Sequence, residues 1–294
     1  MILITTELAS SAKLNTNEYN SLSIMCGSVR PLKIKYILMK KGIILSLLVL
    51  LLLQVEAQQP DAGQIMSKHR DLTLAGSMSS TISLIITEKN GSIRSRTFSM
   101  ITKSYSDGAE KRLIKFLEPA DVKGTGLLII DNKNNQDEMW IYLPALKKTR
   151  RIVTSEKGKN FMSSEFSNSD MTAPALLDFS YKHSSTSGEN KQWVVESMPV
   201  STEKAEEYGY SKRITYMNSE TYQVTKVEFY NFNNQLYKII EIKSVQPLVE
   251  GRYLIKDMKV NNFTSGRSSE FILDKIATNK KIEDSVFSLQ NLER

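Results

Sequence analysis

Cysteine and histidine are both scarce in this sequence of 294 residues, which has one cysteine and two histidines. The cysteine, Cys26, precedes the part of the chain that we predict to be the mature protein. That part therefore has no disulfide and no cysteine-ligated metal site. His69 and His183 have no catalytic or metal-binding partner at a recognisable spacing. A surface or half-buried histidine is favoured over a catalytic base at both positions.

Known catalytic and phosphate-binding motifs are missing as well. The sequence contains no G-x-S-x-G, H-E-x-x-H or G-x-x-x-x-G-K-[ST] pattern. Gly124-Thr125-Gly126 precedes a predicted strand, whereas a dinucleotide-binding loop precedes a helix, so these glycines indicate a bulge or a close backbone approach. We expect no catalytic residue, no metal and no cofactor. An enzyme of the envelope, such as a hydrolase, is the least favoured function.

A strong charge of one sign is also absent. The formal net charge is +7, from 39 Lys and Arg against 32 Asp and Glu. Residues 1–57 hold six of the cations and three of the anions, which leaves 33 against 29 and a net charge of +4. This balance is too weak to indicate a nucleic-acid-binding protein.

One apolar run is present, and it predicts a signal peptide over residues 39–57. Lys40 and Lys41 precede twelve uncharged residues (42–53), and the small residues Val55 and Ala57 follow. Twelve residues form only about 18 Å of helix, which is too short for a bilayer core of about 30 Å. We expect cleavage after Ala57, and residues 1–38 are interpreted as a possible extension upstream of a true start at Met39.

Removal of 57 residues from 294 leaves 237, enough for one large β domain or two small ones. No linker or internal repeat is visible after residue 57, so we predict a single domain over residues 58–294. An exported chain of this size without disulfides must be held together by its core. A bacterial periplasm therefore suits it better than a eukaryotic secretory route.

Hydrophobic periodicity predicts one short amphipathic helix near residues 61–71, followed by strands. Residues 79–105 alternate around Asn90-Gly91, which indicates a β-hairpin. The region 229–236 is interpreted as a second hairpin turn flanked by aromatic residues. About ten strands in sequential hairpins predict a mainly antiparallel sheet that curls into a barrel or half-barrel.

Residues 139–152, MWIYLPALKKTRRI, combine a strand that is apolar on both faces with a cluster of cations. The two-residue period of a strand places Met139, Ile141 and Leu143 on one face and Trp140 and Tyr142 on the other. Since both faces are apolar or amphipathic, the strand is predicted to be covered on both sides. One of these faces could line a cavity.

Residues 154–190 are predicted to form a long irregular segment. This segment is rich in Ser, Asn, Gly and Met and carries large apolar side chains along its length. Such a segment in the middle of a sheet protein is uncommon unless it covers something. Ordinary packing across the sheet and a lid over a cavity are both open interpretations.

Three stretches between residues 119 and 170 carry a resemblance to a known family. PADVKGTGLLIID, MWIYLPALKKTRRI and NFMSSEFSNSDM resemble the outer-membrane lipoprotein-sorting proteins, the LolA-like group. The closing IEDSVFSLQNLER is similar to the C-terminal signature of that group. The resemblance extends over roughly residues 60–294, although Ala173-Pro174-Ala175 and the leucines that follow do not fit its pattern.

The resemblance implies a mainly β (α+β) fold, in which a curved antiparallel sheet forms an incomplete β-barrel with helices and loops over its concave side. It also implies a periplasmic carrier that holds the acyl chains of lipoproteins or related lipids and moves them toward the outer membrane. Methionine-rich linings adapt to varied ligands. The predicted acyl-binding residues are Met139, Trp140, Ile141, Tyr142, Leu143, Phe161, Met162, Phe166 and Met171.

The cations after the strand allow three interpretations. Lys147, Lys148, Arg150 and Arg151 could form a nucleic-acid patch, a solvated turn, or the basic rim of a lipid-binding pocket. The low net charge and the predicted export disfavour nucleic acid. A basic rim would attract anionic headgroups or an acidic membrane partner by about 1 kcal/mol per cation.

The expected partners follow from the carrier interpretation. They are lipoprotein acyl chains or lipids, an inner-membrane transporter or permease, an outer-membrane acceptor, and a membrane surface contacted transiently. We expect a monomer. The alternative function is an envelope sensor or binding module on the same fold, which would recognise a lipoprotein or a membrane-protein partner.

Overall fold

The computed structural model describes residues 59–132, 136–172, 175–184, 187 and 189–294. The predicted signal peptide, its cleavage point and the predicted upstream extension lie outside the described residues. So does part of the non-matching stretch, at residues 173 and 174. All structural statements below concern the described residues.

Thirteen strands and three α-helices lie within the described residues. The helices are α1 (Ala62–Leu72), α2 (Thr202–Tyr208) and α3 (Leu289–Leu292). The strands are β1 (Met78–Thr87), β2 (Ile93–Ser104), β3 (Glu110–Glu118), β4 (Gly126–Asp131), β5 (Glu138–Leu143), β6 (Lys148–Arg151), β7 (Phe179–His183), β8 (Gln192–Pro199), β9 (Lys212–Asn218), β10 (Val224–Tyr230), β11 (Leu236–Pro247), β12 (Tyr253–Asn262) and β13 (Arg267–Thr278).

All thirteen strands belong to one antiparallel sheet, in the order β6-β5-β4-β3-β2-β1-β13-β12-β11-β10-β9-β8-β7. Strand β13 is the middle strand of this order, and β1 beside it pairs with β2 on one side and with β13 on the other. The sheet is curved and not closed, so β6 and β7 are its two edges. The predicted fold class is confirmed, with three more strands than the sequence indicated.

The Asn90-Gly91 hairpin forms as predicted. Thr87 of β1 pairs with Ile93 of β2, and Gly91 in the connecting turn has φ +84°. Glycine adopts this left-handed conformation without the steric cost of a Cβ atom. The second predicted hairpin is also present, since β10 and β11 pair across the turn at residues 231–235.

The concave face of the sheet carries the main core. Along β1, Met78, Ser80, Ile82, Leu84 and Ile86 alternate inward and are buried. Phenylalanines from four separate parts of the chain meet there in a continuous aromatic group of Phe98, Phe116, Phe161, Phe166 and Phe271. Strand alternation therefore builds a single apolar surface on the inner side of the curve.

Helix α1 covers part of this concave side. Asp61 and Gln64 form a capping box at its start, which satisfies free backbone N–H groups. Its apolar stripe, which includes Ile65 and Met66, is buried against Val195 and Met217. The predicted helix is confirmed, shifted by one residue.

The outer face of the sheet is covered at one place by the C-terminal residues. Phe287 and Leu292 pack with Leu113 and Leu128 in a separate apolar cluster. A Cβ atom at Gly126 would lie 2.8 Å from both Leu292 Cδ1 and Leu292 O. The close backbone approach expected at the Gly124-Thr125-Gly126 stretch is therefore present, and it explains why a glycine occupies position 126.

Two strands lie where the sequence interpretation had none. Residues 148–151 form edge strand β6, because they pair with residues 140–143 of β5. A solvated turn was one of the three interpretations of the cations in this stretch. Residues 179–183 form the opposite edge strand β7, inside the stretch predicted to be irregular, because they pair with β8. Both are edge strands with a partner on one side only, so their local sequence signal is weak.

The chain must pass from one edge of the sheet to the other between β6 and β7. Residues 152–172 and 175–178, here called the covering segment, lie along this connection and form mainly short 3-10 turns. Phe161, Phe166 and Met171 of this segment are buried in the same cluster as the concave face. The segment therefore covers the concave side. Both interpretations from the sequence, packing across the sheet and a lid over a cavity, agree with this position.

No helix in the described ranges is long and apolar enough to cross a bilayer.

Candidate ligand-binding cavity

A cavity of about 300 Å³ lies on the concave side of the sheet. Its wall combines side chains of nine strands with residues of α1 and of the covering segment. Ligand-binding pockets usually measure about 300–1,000 Å³. The cavity can therefore hold a small ligand or part of a chain-like one.

Most of the cavity wall is apolar, and methionine and isoleucine are its most frequent apolar residues, with five of each. Thioether side chains are flexible and can fit ligands of different shapes. Aromatic rings of Phe229 and Phe271 and several isoleucines and leucines complete this part of the wall. The lining methionines are Met66, Met78, Met100, Met171 and Met258.

One part of the wall is polar, and most of its charges are paired. Arg70 Nη2 lies 2.6 Å from Asp131 Oδ1, and both side chains are buried. Arg112 forms an ion pair with Glu110 and donates a hydrogen bond of 2.6 Å from Nη1 to Met171 O. These contacts satisfy buried charges and also hold the covering segment against β3.

Further polar contacts fasten the covering segment along its length. Lys157 Nζ lies 2.7 Å from Glu207 Oε1 and 3.6 Å from Asp137 Oδ2. Two ion pairs reach the sheet, Glu165 with Arg267 at 2.8 Å and Asp170 with Lys238 at 2.7 Å. The segment is thus held by directional contacts as well as by apolar packing.

His69 of α1 lines the cavity as a neutral imidazole. Its Nδ1 lies 3.3 Å from Tyr222 O and 3.0 Å from the Tyr253 hydroxyl, which itself donates to Tyr222 O. The hydrogen-bond network therefore assigns the proton to Nδ1. Burial first, and the neighbouring Arg213 second, lower the pKa of His69 to about 4. The cavity thus has an uncharged histidine at neutral pH.

This lowered pKa predicts a loss of stability in acid. A folded-state pKa below the usual 6.5 gives a stabilisation that is present above pH 6.5 and lost as the pH falls through about 4. We expect the contribution to be about 3 kcal/mol. Denaturant unfolding at several pH values should show a shallower decline between pH 6.5 and 4 for His69→Gln. The matched variant His183→Gln should keep the wild-type slope, and an unchanged slope in His69→Gln would contradict this assignment.

Of the nine predicted acyl-binding residues, Met171 lines the cavity. Met139, Ile141, Phe161 and Phe166 are buried in the surrounding cluster, behind the lining residues, and Leu143 and Met162 pack against it. Whether any of these residues contacts a ligand stays a prediction.

The prediction that Trp140 and Tyr142 line the acyl cavity does not fit the structure. They pack with Leu113, Leu128 and Phe287 in the cluster on the outer face, away from the cavity. The predicted alternation along β5 is present, but the C-terminal residues cover the outer face, so both faces are apolar for different reasons. A role for these two side chains in the cavity wall does not agree with their position.

The four cations of the predicted basic rim lie at different positions, and their contact with headgroups stays a prediction. Lys148 pairs with Leu143 of β5, four residues along the strand from Met139, whose neighbour Ile129 lines the cavity. Four residues of strand measure about 13 Å. Lys147 and Lys148 are exposed at the hairpin end of this strand. Arg150 pairs with Glu156 at 2.7 Å, and Arg151 lies 6.0 Å from the Trp140 ring on the outer face.

Sequence reasoning missed most of the lining residues. They come from β1–β4 and β9–β13, where each strand contributes one to three inward side chains. The alternating pattern contained a signal for their inward direction, but no local pattern shows that distant strands share one cavity. Within the described residues, no group of three or more His, Cys, Asp or Glu side chains is arranged to hold a metal ion.

Comparison with protein families places this cavity in context. Residues 108–294 match the model of a family described as "uncharacterized protein", which is more than half of the chain. The chain belongs to that family. A search of curated proteins gives no significant match.

Solved structures share the fold over the whole described region. A putative outer membrane lipoprotein-sorting protein domain from Vibrio parahaemolyticus has TM-score 0.72 and 23% identity, with 79% of this chain and 98% of that chain covered. A DUF1329 family protein from Desulfovibrio piger has TM-score 0.70 and 24% identity, with coverages of 79% and 97%.

A LolA superfamily protein from Nitrosomonas europaea has TM-score 0.62 and 15% identity, with 80% of this chain and 100% of that chain covered. At these identities the likeness is one of fold. The resemblance to the lipoprotein-sorting, LolA-like group is confirmed at that level.

Proposed function

We propose that this protein is a periplasmic carrier that binds the acyl chains of lipoproteins or related lipids in its cavity. The observation that carries the proposal is the methionine-rich apolar cavity on the concave side of the sheet, enclosed by α1 and the covering segment. The shared fold with a protein named for lipoprotein sorting supports it. The predicted signal peptide supports the periplasmic location.

The energetics of acyl burial agree with such a role. Each methylene group moved from water into an apolar cavity contributes roughly 0.8 kcal/mol. About a dozen methylenes give on the order of 10 kcal/mol before the costs of ordering the ligand are subtracted. Binding of this strength would hold a lipid in water and still permit release. A carrier of this type needs no catalytic group.

We further propose that the protein contacts a membrane, or a membrane permease or acceptor, through one end of the sheet. The hairpin at residues 144–147 exposes Leu146, Lys147 and Lys148 together. Apolar side chains are exposed beside other hairpin turns at this end. They are Ile93, Phe232 and Phe263. Exposed apolar groups next to cations suit an anionic lipid interface.

Transfer of a fluorescent lipid between vesicles tests the carrier role. Delipidated protein should accelerate the movement of a fluorescent diacyl lipid from donor to acceptor vesicles that contain anionic lipid. Lys147→Glu/Lys148→Glu should slow transfer several-fold and leave lipid binding unchanged. Lys280→Glu/Lys281→Glu changes the same charge at another exposed lysine pair and should transfer as wild type.

Three results would contradict parts of this proposal. Absence of lipid binding would overturn the carrier role. Binding without any transfer would favour the alternative of a sensor or binding module. Equal slowing by both double variants would show that the hairpin has no special part in membrane contact.

A further inference from the structure

Arg213 is a cation in the cavity wall that the ion pairs described above do not include. It lies on β9, where Arg213 and Thr215 line the cavity and Met217 is buried in the α1 cluster on the same side. The register places Arg213 between Phe229 of β10 and Ser197 of β8. Phe229 also lines the cavity, so the guanidinium stands where apolar and polar parts of the wall meet.

No carboxylate of the described residues pairs with Arg213. The other cations of this region have partners within 4.0 Å, as Arg70 has Asp131, Arg112 has Glu110 and Lys238 has Asp170. The Arg213 guanidinium carbon lies 5.3 Å from the centre of the Phe179 ring. Its Nε is buried and has no hydrogen-bond partner among the described residues.

Buried hydroxyl groups next to Arg213 are also without partners. Thr215 is 2% exposed and lines the cavity, and its Oγ1 has no hydrogen-bond partner within the described part of the chain. Ser197, directly opposite Arg213 on β8, is fully buried, and its Oγ likewise has none there. Native proteins rarely leave several neighbouring buried polar groups unsatisfied unless a ligand or water serves them.

The chemistry of these groups selects an acidic ligand. Arg213 is half-buried, and a partly desolvated guanidinium without a counter-ion is costly, while its planar fork matches the oxygens of a carboxylate or phosphate. Threonine hydroxyls can donate to the same oxygens. The acids Asp170 and Asp178 are already engaged by Lys238 and Lys204.

We infer that the cavity binds an anionic amphiphile, whose acidic headgroup pairs with Arg213 and accepts a hydrogen bond from Thr215 Oγ1. The acyl chain then lies along the methionine-rich wall. This inference rests on the proposed function, since it takes the cavity as the acyl site. It predicts that the cavity binds lipids with a carboxylate or phosphate headgroup more tightly than uncharged lipids of equal chain length.

Paired ligands test the inference. Binding of palmitate, palmityl lysophosphatidate and hexadecanol to the full delipidated chain should be compared by equilibrium competition at pH 8. The wild-type protein should prefer at least one acidic ligand over hexadecanol by at least about tenfold, which is the strength expected of a charge-assisted hydrogen bond. Palmitate and lysophosphatidate distinguish a carboxylate from a phosphate. Acetate and inorganic phosphate, added alone, should not compete.

Substitutions at Arg213 test whether this residue causes the preference for acidic ligands. Arg213→Met should bind the acidic ligand and hexadecanol equally, and Arg213→Lys should keep part of the preference. Lys256→Met removes an exposed cation and should keep all of it. A thermal unfolding transition like that of the wild type shows that a variant is folded. If Arg213→Met does not fold, the comparison is made with Arg213→Lys.

The outcomes separate this inference from the proposed function. Equal binding of acidic and neutral ligands by the wild type, or a full preference in both Arg213 variants, would overturn the role of Arg213 and leave the acyl carrier in place. Binding of none of the three lipids would overturn both. Competition by acetate or inorganic phosphate alone would show an anion site without an acyl site, which also contradicts the inference.

Discussion

Replacement of Lys157 by methionine is expected to lower the free energy of unfolding by about 3–5 kcal/mol. Lys157 is only 5% exposed, and its Nζ lies between Glu207 at 2.7 Å and Asp137 at 3.6 Å. Removal of the cation leaves these buried carboxylates with less compensation. Because Lys157 belongs to the covering segment, the loss also weakens the enclosure of the cavity.

The dependence on pH gives this prediction a second measurement. Burial first, and repulsion from Asp131 second, raise the pKa of Asp137 to about 6. A raised folded-state pKa gives stability that is present below the usual 3.8 and lost as the pH rises through about 6. The deficit of Lys157→Met should therefore be smaller at pH 5 than at pH 7, since Asp137 can become neutral.

Chemical denaturation at both pH values measures these effects. Lys191→Met is the matched control, because Lys191 pairs with Glu220 at 3.0 Å on the surface, where both side chains are more than 60% exposed. Its expected cost is only about 0–1 kcal/mol. Equal small costs for the two variants would show that the buried contacts of Lys157 do not hold the covering segment.

Replacement of Ala75 by phenylalanine is expected to weaken the binding of a long acyl chain by at least about tenfold. Ala75 is 9% exposed and lines the cavity. A phenyl group at this position would occupy space that a ligand needs. Some overpacking is expected, at about 1–3 kcal/mol of stability, and the protein should remain folded.

Equilibrium dialysis with radiolabelled palmitate measures this loss. Ala145→Phe makes the same change at an exposed hairpin position and should bind as wild type. The unfolding transition of each variant shows whether it is folded. Wild-type affinity in folded Ala75→Phe would mean that the acyl chain binds elsewhere.

Local signals in the sequence were sufficient for much of the fold. Asn90-Gly91 and the alternation on either side of it predict the central hairpin, because a tight turn and a two-residue period are properties of neighbouring residues. The Gly126 approach was predictable for the same reason, although its partner Leu292 was not. The motif at residues 139–152 carried the resemblance that led to an incomplete barrel.

The side-chain positions that could not be predicted from the sequence depend on long-range contacts. Trp140 and Tyr142 form an apolar face, but only the position of Phe287 and Leu292 decides that this face lies outside. The cations of residues 147–151 formed one cluster in sequence, and strand β6 distributes them between a hairpin, an ion pair and the outer face. A ligand-binding role for Arg213 could not be predicted from the sequence, because it depends on which residues folding brings near the guanidinium.

The central claim is that acyl chains lie inside this cavity, and photolabelling tests it most directly. A palmitate analogue with a diazirine near the end of its chain should be bound to the full protein, irradiated, and its attachment sites mapped by mass spectrometry. We expect labels on cavity residues such as Met100, Ile240 and Phe271, with loss of these labels in Ala75→Phe. Labels confined to the outer-face cluster around Trp140 and Phe287, or to the exposed hairpin turns, would contradict the claim.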